Sequence, residues 1–263
     1  MTKKFKILTV IIITLAITPN LLIKIGEKLD PLSINLNSTY QPPSQKHPLG
    51  TDYLGRDLLA RIIYATGLSL KMSSITLSVS LILSLTLGSI AGIFYNKIPD
   101  KIISWISSLL MTTPLILLIS ATLSTLEPNP EFTYLTIGLF TWTIPARLVR
   151  TETIQLKNST FITAQKALGF PNYLIMIKII PLTIYPAVIN SLFILPELIS
   201  IEVALSFLGF GPQPPTPSLG KLILTGTLEA NIAWWQAIFP ITALVFLITS
   251  IYFLSKKLSQ LQI

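Results

Sequence analysis

The chain contains no cysteine, a single histidine and few charges, only 11% of its 263 residues. The missing cysteine removes disulfides, thiolate metal sites and cysteine nucleophiles, and says nothing about redox compartment. His47 stands alone and is followed by Pro48 in a turn-rich stretch, so no histidine pair can hold a metal and no imidazole network can do acid–base work. No Gly-x-x-x-x-Gly-Lys-[Ser/Thr] segment is present, so the chain lacks that backbone cradle for nucleotide phosphates. A soluble domain carries roughly a quarter charged residues. That deficit, with 51% hydrophobic residues and a mean hydropathy of +0.69, points to a membrane.

A hydrocarbon core of roughly 30 Å asks for about 20 mostly apolar residues per spanning helix. Six windows meet this, at residues 6–26, 69–95, 103–125, 133–149, 180–201 and 237–254. The expectation is an all-α, polytopic helix bundle with no large soluble domain. The net charge of +8 reads through its placement rather than its sum, so no nucleic-acid partner is expected. Lys3, Lys4 and Lys6 precede the first window, and Lys97 and Lys101 follow the second. Arg147, Arg150, Lys157, Lys166 and Lys178 lie between the fourth and fifth, and Lys256 and Lys257 follow the sixth. These sets share one side if both termini are cytoplasmic. The first outward loop is mixed, with Lys24, Lys28, Lys46, Arg56 and Arg61. The N-terminus also has the basic-then-apolar order of a signal peptide. No small-x-small cleavage pattern follows, which favours an uncleaved first span.

Between the first two windows, His47-Pro-Leu-Gly-Thr-Asp-Tyr-Leu-Gly-Arg-Asp57 is a turn-rich block. Gly50 and Gly55 suit turns, and Asp52 can bond its own backbone two residues on. Asp57 suits the N-cap of a short helix from Leu58 to Thr66 stopped by Gly67, lying along the outer membrane surface. In the second window, Gly88 and Gly92 form a small-xxx-small pair for close helix contact. Pro114 and Pro145 interrupt the third and fourth windows, as static kinks or as gates.

The segment from Arg150 to Lys178 predicts a helix capped by Asn158 or Ser159 and ended by Gly169, with Pro171 opening another. Phe161, Ala164 and Leu168 share one face. The segment is either an apolar docking element or a loop resting on the bundle. Glu197 and Glu202 sit near the outward end of the fifth window. Five positions apart, they fall roughly 140° around a helix and cannot share a face. That argues against a metal site or an acid–base pair and for pathway lining, interface contact or a place near headgroups. From Ser206 to Gly220 the chain is rigid and polar, with Pro212, Pro214, Pro215 and Pro217 barring a helix. Gly209, Gly211 and Gly220 there suit left-handed or crowded positions.

Four blocks, in order, carry a resemblance. His47–Asp57 is similar to a Gly-Thr-Asp-x-x-Gly-Arg-Asp motif. Arg61-Ile-Ile-Tyr64 continues it, and Trp142 with Ala146-Arg-Leu-Val-Arg150 resembles the end of a fourth span. Ala204-Leu-Ser-Phe-Leu-Gly209 and Gln213-Pro-Pro-Thr-Pro-Ser-Leu-Gly220 follow almost letter for letter. Over residues 42–257 the chain resembles the inner-membrane permeases of peptide/nickel-class, binding-protein-dependent ABC importers, nearest to the C-type subunit of dipeptide and oligopeptide systems.

That resemblance implies a type I importer transmembrane domain over residues 68–257, preceded by a transmembrane helix and outward loop over 1–67. It implies no cofactor and no enzymatic activity in this chain. The implied partners are a homologous second permease, two ABC ATPase subunits, an extracytoplasmic solute-binding protein and the lipid bilayer of a bacterial inner membrane. Such permeases carry a Glu-Ala-Ala…Gly loop that docks on the ATPase. The matching positions here are Thr163, Ala164, Gln165 and Gly169, with Pro181 closing the motif, so the glutamate is missing. The outward motif residues are Gly50, Asp52, Gly55, Arg56, Asp57, Gln213, Pro214 and Pro215. Peptides lead as substrate, while nickel, glutathione and cationic-peptide systems share these motifs. Two rivals from other classes are an intramembrane enzyme, drawing on His47, four aspartates and seven glutamates, and an ion-coupled secondary transporter.

Overall fold

A computed structural model describes residues 3–125, 130–170 and 172–260. Apart from one isolated bridge between Thr51 and Asp57, its regular elements are helical. Helix α1 (Lys3–Lys28) leads through a short turn of 3-10 helix at Leu36–Ser38 to α2 (Leu58–Ile93). Then come α3 (Ile98–Thr112), α4 (Leu115–Leu123), α5 (Pro130–Thr141) and α6 (Thr143–Lys157). The chain closes with α7 (Thr160–Ala167), α8 (Asn172–Ser191), α9 (Leu195–Phe207), α10 (Leu219–Leu228) and α11 (Trp235–Gln260).

Helix α2 is the axis of the bundle. Its 36 residues run to about 54 Å at 1.5 Å per residue, well beyond a hydrocarbon core. The side chain of Asp57 caps it, accepting from the backbone N–H of Ala60 at 3.0 Å. The expected short surface helix ending at Gly67 is not formed. Gly67 lies inside α2, where a Cβ would sit 2.8 Å from the backbone nitrogen of Ile23 and 2.9 Å from the carbonyl of Pro19. The glycine therefore serves close approach of α1 rather than chain reversal. Gly88 and Gly92 do the same against α6: a Cβ at Gly88 would meet the Ala146 carbonyl at 2.6 Å, and one at Gly92 the Thr153 Cβ at 2.6 Å.

Among the described residues, three helices, α1, α2 and α11, are long and apolar enough to cross a membrane alone. Two bent pairs bring the number to five: α3 with α4, turned by 92°, and Ile179–Ser191 of α8 with α9, turned by 55°. The expected fourth window falls on α5 and α6, separated by Trp142 alone. Pro114 and Pro145 account for two of the interruptions. Pro114 follows the end of α3, and Pro145, lacking an N–H, cannot bond the Thr141 carbonyl one turn back. The fifth window is displaced: α8 starts at Asn172 and runs unbroken over Pro181 and Pro186 before the chain breaks at Leu192–Ile194. The Leu192 carbonyl is met from outside, by the Ser255 hydroxyl at 3.0 Å.

The main apolar core joins α2, α4, α5, α9, α10 and α11, with Leu58, Leu77, Ile119, Ile137, Leu198, Leu205 and Leu219 almost fully enclosed. Phe246 and Phe253 on α11 and Trp105 on α3 project outward, as lipid-facing or subunit-facing side chains do. Helix α10 is a further element, capped by Ser218 on Lys221 N–H and packed on α9 and α11.

Candidate functional site

At the N-terminal end of α2 the chain builds a folded head. Gly50 and Gly55 take φ of +80° and +70°. Asp52 is its hub: one carboxylate oxygen accepts from the N–H groups of Leu54 and Arg56, at 2.9 and 3.0 Å. The other accepts from Arg56 Nε at 2.7 Å and faces Arg61 Nε at 3.6 Å. Arg61 also donates to the Pro31 carbonyl at 3.2 Å. His47 Nδ1 lies 2.8 Å from Asp57 Oδ2, so the lone histidine braces the α2 cap. Trp235 Nε1 donates to the Thr51 carbonyl at 3.1 Å and fastens the head to α11.

The Pro-rich loop lies beside this head. Gln213 Nε2 donates to the carbonyls of Gly209 and Gly211, both at 3.0 Å, holding the loop in shape. Gly209 is the left-handed residue, with φ +97°, whereas Gly211 and Gly220 are crowded against Ser206 and Val203. Pro214 and Pro215 border a small cleft of about 50 Å³ with Arg56, Arg61 and Lys221. Nearby Glu229 ends α10, and burial pushes its carboxyl above the usual range. The motif residues at 50–57 and the Pro214–Pro215 loop thus lie at one end of α2, with Asp52 and Arg56 buried and committed to each other.

At the other end of α2, Lys157 at the close of α6 donates to the Ile93 carbonyl, and α7 follows three residues on. Helix α7 ends as the sequence predicts. Gly169 has φ +82°, and the Phe170 N–H returns to the Gln165 carbonyl at 3.1 Å, a Schellman closure. Of the two expected caps, Ser159 directly precedes α7 and its carbonyl accepts from the Thr163 N–H at 3.0 Å, whereas its hydroxyl turns the other way. Asn158 ends α6, and the Ser159 hydroxyl donates back to the Leu156 carbonyl. Ile162 packs inward on Ile179 and Leu156, while Phe161, Ala164 and Leu168 form an exposed face with Leu168 76% accessible. Thr163 is exposed, with its hydroxyl back-bonded to Ser159, and Gln165 is buried. Another helix does begin after Gly169, at Asn172, but as α8 it runs on without a break into the fifth window, and Pro181 lies exposed within it. Pro171 lies outside the described residues.

The two carboxylates of α9 part company. Glu197, in the first turn, is exposed beside a cavity of about 300 Å³. Glu202 is 3% accessible, and the Ser69 hydroxyl faces it without reaching hydrogen-bond geometry. Both Glu202 oxygens lack partners, as does Tyr134 Oη nearby on α5. No group of three or more histidine, cysteine or acidic side chains gathers among the described residues.

Sequence reading also missed the pair that ties α3 to α6. Arg150 donates from Nε and an Nη to the two oxygens of Asp100, at 2.6 and 2.8 Å, and its guanidinium lies 5.1 Å from the Tyr95 ring centroid. Nothing local links residues 50 positions apart, so only the fold could show it.

Residues 84–261 match the family of binding-protein-dependent transport system inner membrane components. An oligopeptide transport system permease protein of Mycobacterium tuberculosis is 32% identical over 218 residues, covering 82% of this chain and 75% of that protein. A dipeptide transport system permease protein of Alkalihalophilus pseudofirmus is 35% identical over 207 residues, 78% of this chain and 68% of that one. A glutathione transport system permease protein of Pectobacterium atrosepticum is 33% identical over 203 residues, 77% and 67% of the two chains. With its all-helical bundle of apolar spans, the chain belongs to the binding-protein-dependent transport system inner membrane components, as a multi-pass permease with the type I ABC importer membrane fold.

Proposed function

We propose that this permease imports di- or oligopeptides and forms half of a translocation pathway whose other half is a homologous subunit. The observation that carries this reading is the placement of two preformed surfaces at opposite ends of α2. The Asp52–Arg56 head and the Gln213-Pro-Pro loop gather at its N-terminal end, and the α7–Gly169 turn lies beyond its C-terminal end.

The head is the docking surface for an extracytoplasmic solute-binding protein. Its proline-rich loop is shaped before any partner arrives, which lowers the ordering cost of association. Phe161, Ala164 and Leu168 are the apolar anchors of the opposite surface, offered to one of two separate ATPase subunits as a helix in a groove. Thr163 supplies no charge there, so docking rests on shape and apolar contact rather than on an ion pair. Both termini and α7 face the cytoplasm. The relatives named for oligopeptides, dipeptides and glutathione support a peptide-like substrate.

The test is co-assembly. Membranes holding this chain alone should show no ATPase activity of its own. Activity should appear with the ATPase subunits and second permease, and rise when peptide-loaded binding protein is added. Hydrolysis by the chain alone, or no response to the binding protein, would refute the assignment.

A further inference from the structure

Three helix interruptions meet at one place. The cavity beside Glu197 is lined by Thr113 and Pro114 from the α3–α4 break, by Thr141 and Thr143 from either side of the α5–α6 break, and by Ile194 from the α8–α9 break. Broken membrane helices leave backbone carbonyls without their in-helix donors, and such ends commonly build substrate and ion sites. Here Pro145 has no N–H to offer the Thr141 carbonyl, and Thr141 lines this cavity. Glu197 is the one charged side chain lining the space. Among the described residues no cation pairs with it.

A carboxylate within a membrane bundle is costly unless something compensates its charge. Its place in the first turn of α9 gives partial compensation from the helix N-terminus. That end effect explains neither the cavity nor the convergence of three breaks. A lone anion beside the Thr141 backbone and the hydroxyls of Thr113, Thr141 and Thr143 is a field for a hydrogen-bonding cation, because carboxylate, carbonyl and hydroxyl oxygens accept and the ammonium or guanidinium donates.

We propose that the Glu197 cavity receives a cationic side chain of the translocated peptide, making this permease selective for lysine- and arginine-containing substrates. The inference rests on the peptide-import reading and narrows it. At about 300 Å³ the cavity has room for a lysine or arginine side chain.

The test uses the complete importer in proteoliposomes with its binding protein, and measures initial uptake of dialanine, alanylglutamate and alanyllysine. Glu197→Gln should lower alanyllysine uptake about tenfold, the loss of one charge-assisted hydrogen bond, and leave the other two unchanged. Glu197→Asp should retain the preference for the basic peptide, and Glu197→Lys should invert it toward alanylglutamate. Equal changes for all three peptides in Glu197→Gln, at normal subunit assembly, would overturn the cation site and leave peptide import standing. Failure of the wild-type complex to transport any of the three would overturn the peptide reading itself, and this inference with it.

Discussion

Arg150 of α6 grips Asp100 of α3 through two parallel bonds, with Asp100 Oδ2 also accepting from the Asn96 N–H at 2.9 Å. The pair closes α3 onto the helix that leads directly into α7. Asp100 is 4% accessible at its side chain and Arg150 28%, so only the carboxylate depends fully on its partner. Asp100→Ala should therefore destabilise by about 2–3 kcal/mol, less than the loss of a fully buried pair. Arg150→Lys keeps the charge and loses the fork, and should fall between Asp100→Ala and wild type. Thermal unfolding of the detergent-solubilised complex reads both, and a wild-type melting temperature in Asp100→Ala would show the pair to be neutral.

Gly169 isolates backbone from packing. Its φ of +82° is unfavourable for any residue with a Cβ, yet an added Cβ there meets nothing within 4 Å. Gly169→Val should cost about 1–3 kcal/mol in the turn alone. It should leave membrane insertion intact while abolishing uptake and binding-protein-stimulated ATPase activity. Gly169→Asn, which tolerates the left-handed region, should retain part of both. Equal loss in the Asn and Val variants would show that the turn is not what matters. Thr163→Glu should be tolerated, since Thr163 is exposed and bonds only to its own helix.

At the α2–α6 contact, bulk should be decisive. Gly92→Leu would drive a side chain into Thr153 and the Arg150 carbonyl, so the subunit should fail to assemble with its partners. Gly138→Ala, at the α5–α2 contact, adds only one methyl, 2.8 Å from Val79 Cβ and 3.0 Å from the Thr76 carbonyl, so it should strain the packing less than the leucine does. Size-exclusion profiles of co-expressed complexes distinguish the two.

Orientation is open to direct labelling because the chain has no cysteine. Cysteines placed at Gln45 and Thr216 should react with impermeant maleimide in intact cells, and one at Leu168 only after permeabilisation. Labelling in the reverse order would invert the topology and exchange the two docking surfaces.

Glu202 is the buried counterpart of Glu197. Glu202→Gln keeps the side chain's size and removes a formal charge that the surrounding Ser69 and Tyr134 do not offset. It should leave assembly intact and raise the melting temperature. Glu202→Lys should prevent assembly, since the enclosed site offers no partner for an ammonium. A collapse of the Gln variant would mean that the charge is used.

Much of this was legible in the chain. Proline marks a break wherever an N–H is needed, so Pro114 and Pro145 announced the interruptions. Asp52, Asp57 and Gly169 act on backbone within a few residues, and short-range chemistry can be read locally. Gly67 misled because a glycine may end a helix or admit a neighbour, and only the presence of α1 decides between them. Helix α10 escaped because ten residues cannot span a bilayer and its burial comes from α9 and α11. The Arg150–Asp100 pair and the gathering of three breaks around Glu197 are products of assembly, with no trace in local spacing.

The unbroken length of α2 has a mechanical consequence. It is packed at intervals by α1, α5, α6, α8 and α9, and joins the two surfaces proposed above as docking sites, the Asp52 head at one end and the approach to α7 at the other. A rod of about 54 Å that tilts by about 5° around its middle moves its two ends roughly 2 Å in opposite directions. The closely packed glycines at positions 67, 88 and 92 leave little slack along it. A push from the ATPase side would thus reach the outer head as an inverted displacement, through a lever rather than a relay of contacts.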